Sequence, residues 1–282
     1  MEHELRKAVE EVAAAAKGLN LDIILVGALM AEVTPEIEAD YPRFRRTNDA
    51  DFGFYVKDWA AYGKMRDELL RRGFTLNRHI EHRLDCGGAI VDLIPYGDRI
   101  APGGKLTWPK SEIEMMVTGF DEVCAAARAS ASLKGFPVPV ITVPGFALLK
   151  IIAYLDRKSQ GRDKYKDDAK DIEYWLLNYA GGVKDDRRFG LVKKPGLKHE
   201  DYGTAGAVLL GREVGALASK EAAAYIERFL KESEDRYSSF VNLLTAGLTA
   251  EAFDGKCDEV LALLAAFKKG YQHALKSRSQ RE

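Results

Sequence analysis

The run Arg46-Thr47-Asn48-Asp49-Ala50-Asp51-Phe52-Gly53-Phe54-Tyr55-Val56 places two carboxylates one strand-step apart, ahead of an aromatic and apolar segment. That composition reads as a β-strand. Side chains alternate between the faces of a strand, so Asp49 and Asp51 point the same way. A second run, Ala89-Ile90-Val91-Asp92-Leu93-Ile94-Pro95, reads as another strand with a carboxylate set among aliphatic residues. If the two strands are neighbours, three carboxylates converge on one point. Carboxylates this close repel unless a cation or hydrogen-bond donors offset the charge, and an unpaired one is costly to bury. Two readings stand. In one, the trio binds divalent cations, since magnesium takes a few carboxylates plus phosphate oxygens, and the implied chemistry is displacement at phosphorus. In the other, Asp49 belongs to a Thr47-Asn48-Asp49 turn, and Asp51 and Asp92 are buried and bonded to backbone donors.

Outside these runs the chain is ordinary for a soluble globular protein. It has 282 residues, 46% hydrophobic and 30% charged, which allows one large domain or two modest ones. A formal net charge of −1 gives no overall pull toward nucleic acid. No apolar run is long enough to span a membrane. The first residues, Met1-Glu2-His3-Glu4-Leu5-Arg6-Lys7, lack the basic-then-apolar order of a signal peptide, so the expected location is cytoplasmic. Cys86, Cys124 and Cys257 are far apart and suggest neither a zinc site nor a disulfide framework.

Walking outward from the two acidic runs, residues 4–18 have helical spacing and 21–26 form a short apolar strand broken by Gly27-Ala28. Residues 29–33 begin a helix, and 34–48 are a long polar connection. A helix opens at Lys57-Asp58 and stops at Gly73. Residues 74–80, 82–86 and 89–94 read as strands, the last two joined by a Gly87-Gly88 hairpin turn. Residues 95–109 form a Gly/Pro-rich loop, 112–117 one more strand and 121–132 a helix. Pro144 suits the first turn of a helix reaching about residue 158. Helical patterning then dominates, over 168–179, 203–217, 220–232, 234–246 and 256–275. The expected fold is α+β: a mixed sheet flanked by helices over residues 1–143, followed by a helical half over 144–282.

The order strand, Gly27-Ala28, helix, then Asp49-Ala50-Asp51, then Asp92 resembles the DNA polymerase β-like nucleotidyltransferase superfamily. Within it the chain looks most like the AbiEii/MenT-type predicted nucleotidyltransferases, many of them toxin components. Val91-Asp92-Leu93-Ile94-Pro95-Tyr96-Gly97, Trp108-Pro109, Leu148-Leu149-Lys150-Ile151 and Asp168-Ala169-Lys170-Asp171-Ile172 add to the match. The likeness covers roughly residues 20–180. Three departures are visible: the turn is Gly-Ala rather than Gly-Gly or Gly-Ser, the stretch from Gly27 to Asp49 is long, and Asp167 stands before Asp168 where a basic residue is expected, with Lys166 one place further back.

The resemblance implies roles. Asp49, Asp51 and Asp92 would hold two Mg²⁺ ions, with Asp92 at or beside the base. Gly27, Ala28, Arg46 and Thr47 would face the triphosphate. Lys150, Asp168 and Asp171 would contribute to nucleotide binding. The implied activity is transfer of a nucleoside monophosphate from an NTP such as ATP or GTP to a hydroxyl. That hydroxyl would be a tRNA 3′ end, a small molecule or a protein side chain, and an antitoxin is an implied partner. The alternative is a catalytically degenerate nucleotide- or partner-binding protein on the same fold. Two further expectations come from the residues themselves. His79 and His82 read as surface histidines, and Trp108 reads either as a base-stacking ring or as a plug at the end of the sheet.

Overall fold

The computed structural model describes residues 3–42, 44–130, 135–191 and 201–280. The chain separates into two compact units, one of residues 1–39 and 43–142, the other of 40–42 and 143–282. The architecture is α+β, a mixed sheet flanked by helices and followed by a helical half.

The first unit begins with helix α1 (His3–Gly18), whose Leu5, Ala8, Val9 and Val12 form a buried stripe. Strand β1 (Ile23–Leu25) leads into the short helix α2 (Met30–Val33) and then α3 (Pro35–Asp40). The stretch 34–48 read as a polar connection, so α3 is a correction. Pro35 supplies the fixed φ of a helix start, which periodicity does not register over six residues. Strand β2 (Asp49–Tyr55) follows, then α4 (Trp59–Arg71), capped by the Asp58 side chain accepting from the Ala61 N–H.

Strands β3 (Thr75–Leu76), β4 (Arg83–Cys86) and β5 (Ala89–Tyr96) complete a five-stranded sheet in the order β1-β2-β5-β4-β3. β2 and β5 run parallel and the other pairs antiparallel. The expected strand over 74–80 shrinks to two paired residues, because Asn77 turns the chain by accepting the N–H groups of His79 and Ile80. The Gly87-Gly88 turn has positive φ at both glycines (57° and 91°), the requirement of a two-residue type I′ hairpin.

One face of the sheet is dry: Ala50, Phe52, Phe54, Leu84, Val91 and Leu93 are all buried. Helix α1 packs on β2 and β5. By alternation the opposite face presents Asp49, Asp51, Arg83, Asp85 and Asp92.

Residues 95–109, read as a loop, contain a 3₁₀ turn (Pro102–Gly104) and strand β6 (Lys105–Thr107), which pairs with β7 (Glu114–Met116). A three-residue strand is too short to leave a periodic mark. Helix α5 (Phe120–Ala129) ends the unit's regular structure, and Phe120 lies against Gly53. The helix expected over 121–132 ends at Ala129, with Ser130 extended, and residues 131 and 132 fall outside the described residues. Val140 bridges Leu25 in parallel fashion, as an extended edge segment can.

The second unit consists of α6 (Val143–Ser159), α7 (Tyr165–Asn178), α8 (Arg187–Leu191), α9 (Tyr202–Leu217), α10 (Lys220–Ser233), α11 (Ser239–Thr245) and α12 (Ala250–Ser279). α12 starts six residues earlier than apolar spacing indicated. Thr249 caps it by accepting from the Ala252 N–H, and its first turns are largely exposed.

α9 and α12 pack at unusually close range. A Cβ on Gly211 would overlap the Phe267 carbonyl, and one on Gly270 would overlap the Val208 carbonyl. Gly270→Ala therefore forces two helices apart. It is expected to destabilise the protein by about 1–3 kcal/mol, measured by urea denaturation. Gly63→Ala, where nothing lies within 4 Å of the added carbon, is expected to be neutral or stabilising.

Candidate active site

The acidic face is built by strand register. Asp51 on β2 is the parallel partner of Asp92 on β5, and Arg83 on β4 is the antiparallel partner of Asp92. The three residues form one row across adjacent strands, with side chains on the same face. Asp49 lies two positions before Asp51 and pairs with Ile90, so its side chain shares that face. Asp49, Asp51 and Asp92 thus share one face of the sheet.

Arg83 was not anticipated as a site residue, and its contacts dominate the local electrostatics. Its Nε donates to Asp92 Oδ1 at 2.8 Å and its terminal nitrogen to Asp92 Oδ2 at 2.7 Å. The same terminal nitrogen lies 3.7 Å from Asp49 Oδ2. A forked guanidinium–carboxylate pair of this kind is the strongest neutralising contact a side chain can make. The hydrogen-bonded Asp92 carboxylate, aided by the charges of Asp49 and Asp51, raises the Arg83 pKa, although burial opposes the shift. A sequence signal did exist. A two-residue Gly87-Gly88 loop pairs Cys86 with Ala89, and counting back three steps pairs Arg83 with Asp92.

His82 is also brought to the site, against the expectation of a surface histidine. Its Nε2 lies 3.9 Å from Asp92 Oδ2, and its ring sits 5.0 Å from that of Trp108. Trp108 is buried among Trp59, Tyr62 and His82, which favours the plug over the base-stacking ring. Burial pushes the nearby Tyr62 phenol above its ordinary range, and Asp92 adds a smaller contribution in the same direction.

Gly27 and Ala28 are buried, and the expectation that Gly27 opens onto phosphate meets a different neighbour. A Cβ on Gly27 would overlap Asp51 Oδ2. Glycine is required there because the Asp51 carboxylate stands against its Cα. Thr47 is engaged within the protein, its N–H donating to Glu32 Oε1 at 3.1 Å and its hydroxyl accepting the Asp49 N–H at 3.1 Å. Arg46 is exposed.

The donor chemistry of the trio suits magnesium. Among the described residues no group of three or more His, Cys, Asp or Glu side chains is placed to share a metal. The Arg83 guanidinium stands between Asp92 and Asp49, where a shared ion would lie.

Lys150, Asp168 and Asp171 lie in the second unit and bind one another. The Lys150 ammonium is 2.8 Å from Asp168 Oδ1 and 2.9 Å from Asp171 Oδ2, and Arg157 Nη1 lies 2.6 Å from Asp168 Oδ2. Both carboxylates are buried. The two aspartates together hold the Lys150 pKa up against strong desolvation. The observed role of this set is to neutralise charge between α6 and α7.

No family model and no curated protein matches the chain. Among solved structures it is similar to the antibiotic-resistance factor ANT(2'')-Ia. A solution structure of that protein aligns with a TM-score of 0.36 and 14% identity, covering 61% of this chain and 89% of that one. A crystal structure of ANT(2'')-Ia with adenylyl-2''-tobramycin aligns with a TM-score of 0.35 and 13% identity, covering 60% and 85%.

Two substitutions separate support from chemistry. Gly27→Ala drives a methyl into the Asp51 carboxylate and is expected to cost about 1–3 kcal/mol, read by thermal melting. Lys150→Met removes an ammonium from between two buried carboxylates and is expected to cost about 3–5 kcal/mol, read by chemical denaturation. A Lys150→Met protein as stable as the wild type would show that Arg157 alone balances the pair.

Proposed function

We propose that the protein is a nucleotidyltransferase, moving a nucleoside monophosphate from an NTP to a hydroxyl acceptor. One observation carries the reading. Asp51 and Asp92 occupy paired positions on adjacent parallel strands, with Asp49 one step along the same face. A face that gathers carboxylates over a dry sheet core is costly unless the charges are paired, as Arg83 pairs Asp92, or serve a charge-demanding ligand or reaction. In the proposed transfer the acceptor oxygen bonds to the α-phosphorus, the bridging oxygen to the β-phosphorus leaves with pyrophosphate, and the hydroxyl proton passes to a base. By the motif resemblance, Asp92 is that base or stands beside it. Gly27 leaves room for the Asp51 side chain, and strand pairing sets its position opposite Asp92.

The finer form of the proposal rests on the motif resemblance alone. There the protein is a cytoplasmic toxin of a toxin–antitoxin pair, modifying a tRNA 3′ end with ATP or GTP as donor. A small molecule or a protein side chain is the other acceptor class. A second reading is favoured by the Arg83 fork on Asp92, in which the acidic face binds nucleotide or a partner without turnover.

Purified protein incubated with each labelled NTP, Mg²⁺ and total tRNA tests the proposal beside Asp51→Asn. The expected outcome is label on RNA with the wild type and a loss of at least about 100-fold in the variant, the scale of removing a group that acts in the transition state. Label on RNA undiminished in Asp51→Asn would rule out the assigned centre. Mg²⁺-dependent NTP binding without label on RNA points to a small-molecule or protein acceptor. NTP binding that ignores Mg²⁺, seen by calorimetry, supports the non-catalytic reading.

A further inference from the structure

The first unit places a permanent cation where the motif resemblance calls for a metal ion. Arg83 forks onto Asp92 and reaches Asp49 with the same nitrogen, so one guanidinium spans two of the three carboxylates. The fork is sheltered, with Arg83 and Asp92 side chains only 13% and 8% exposed. Its position is fixed from both ends. Arg83 is paired in register with Asp92, and that register is set by the two-residue hairpin at Gly87-Gly88. Arg83 therefore sits by strand geometry, not by a flexible loop.

We infer that Arg83 is the resident counter-cation of the acidic face, and that a divalent ion must compete with it for Asp92 and Asp49. The inference rests on reading that face as the reaction centre. Arg83 is a positioning residue in this scheme, holding Asp92 in the row beside Asp51. Removing it should do two opposed things. It should loosen the carboxylates when no metal is present, because like charges then lack their balance. It should also free two of them to take a divalent ion.

Manganese binding, followed by the loss of the free-ion electron paramagnetic signal, reads this directly. Wild type, Arg83→Gln and Arg83→Lys are titrated without nucleotide, and each is melted with and without Mn²⁺. Arg83→Gln is expected to bind Mn²⁺ about tenfold more tightly than the wild type, or to take up an additional ion. Its melting temperature should fall without metal and recover with Mn²⁺, while the wild type responds little. Arg83→Lys keeps the charge but loses the fork and should lie between the two, which keeps the test decisive if the glutamine variant fails to fold. Unchanged Mn²⁺ affinity and stoichiometry in the variants that fold would overturn the inference. The outcome is separable from the proposed activity. Transfer by the wild type with unaltered Mn²⁺ binding in the variants sinks only the inference, and tightened Mn²⁺ binding in a protein without transfer sinks only the activity.

Discussion

Two carboxylates side by side on neighbouring parallel strands are the constraint around which the first unit is arranged. Asp51 and Asp92 face the same way because their strands pair in that register, and like charges directly opposite are destabilising. The sheet order places β4 on the far side of β5, and β4 delivers Arg83 to the Asp92 carboxylate. On the near side, β1 runs antiparallel to β2, and two residues past its end Gly27 has no side chain and leaves room for Asp51. The opposite face of the same strands is dry, with Phe52, Val91 and Leu93 fully enclosed. The apolar burial on that side, worth roughly 1.5–3 kcal/mol for each large side chain, is what allows the charged side to be tolerated.

The second unit meets the same difficulty with a different balance. Asp168 and Asp171 are buried more deeply than Asp49, Asp51 or Asp92, and two cations attend them. Lys150 sits between the pair while Arg157 takes Asp168 from the other side. Buried charges of this kind rarely add net stability over an apolar replacement, yet removing one partner is severe. They fix how α6 and α7 meet, and elsewhere in the unit backbone contact at Gly211 and Gly270 does the fixing instead.

Much of this was legible in the residues. Strand alternation put Asp49 and Asp51 on one side, and embedding in an aliphatic run marked Asp92 as a strand residue needing a partner. The Gly87-Gly88 turn was legible too, because positive φ at two successive positions favours glycine. The identity of the balancing charge was within reach but needed the hairpin register carried three residues back from the turn. His82 was not legible. It precedes the strand, and its place beside Trp108 depends on the path of a loop. The six-residue helix at Pro35–Asp40 and the three-residue strand at Lys105–Thr107 were missed for a related reason. Elements that short are settled by what they touch in three dimensions, and neither spans enough residues to show a period. Gly27 was singled out as a small residue beside phosphate, whereas the structure sets it against Asp51.

The hairpin joining β4 to β5 also acts as a ruler. Its two glycines pair Cys86 with Ala89, and every rung beyond follows, down to Arg83 opposite Asp92. One residue added to that tip would slide β4 by a single rung and turn the arginine to the greasy side of the sheet, because a one-step slip exchanges the faces of a strand. The loop lies several residues from any carboxylate of the trio and carries no reactive group. Its length nevertheless sets which residue of β4 stands opposite Asp92.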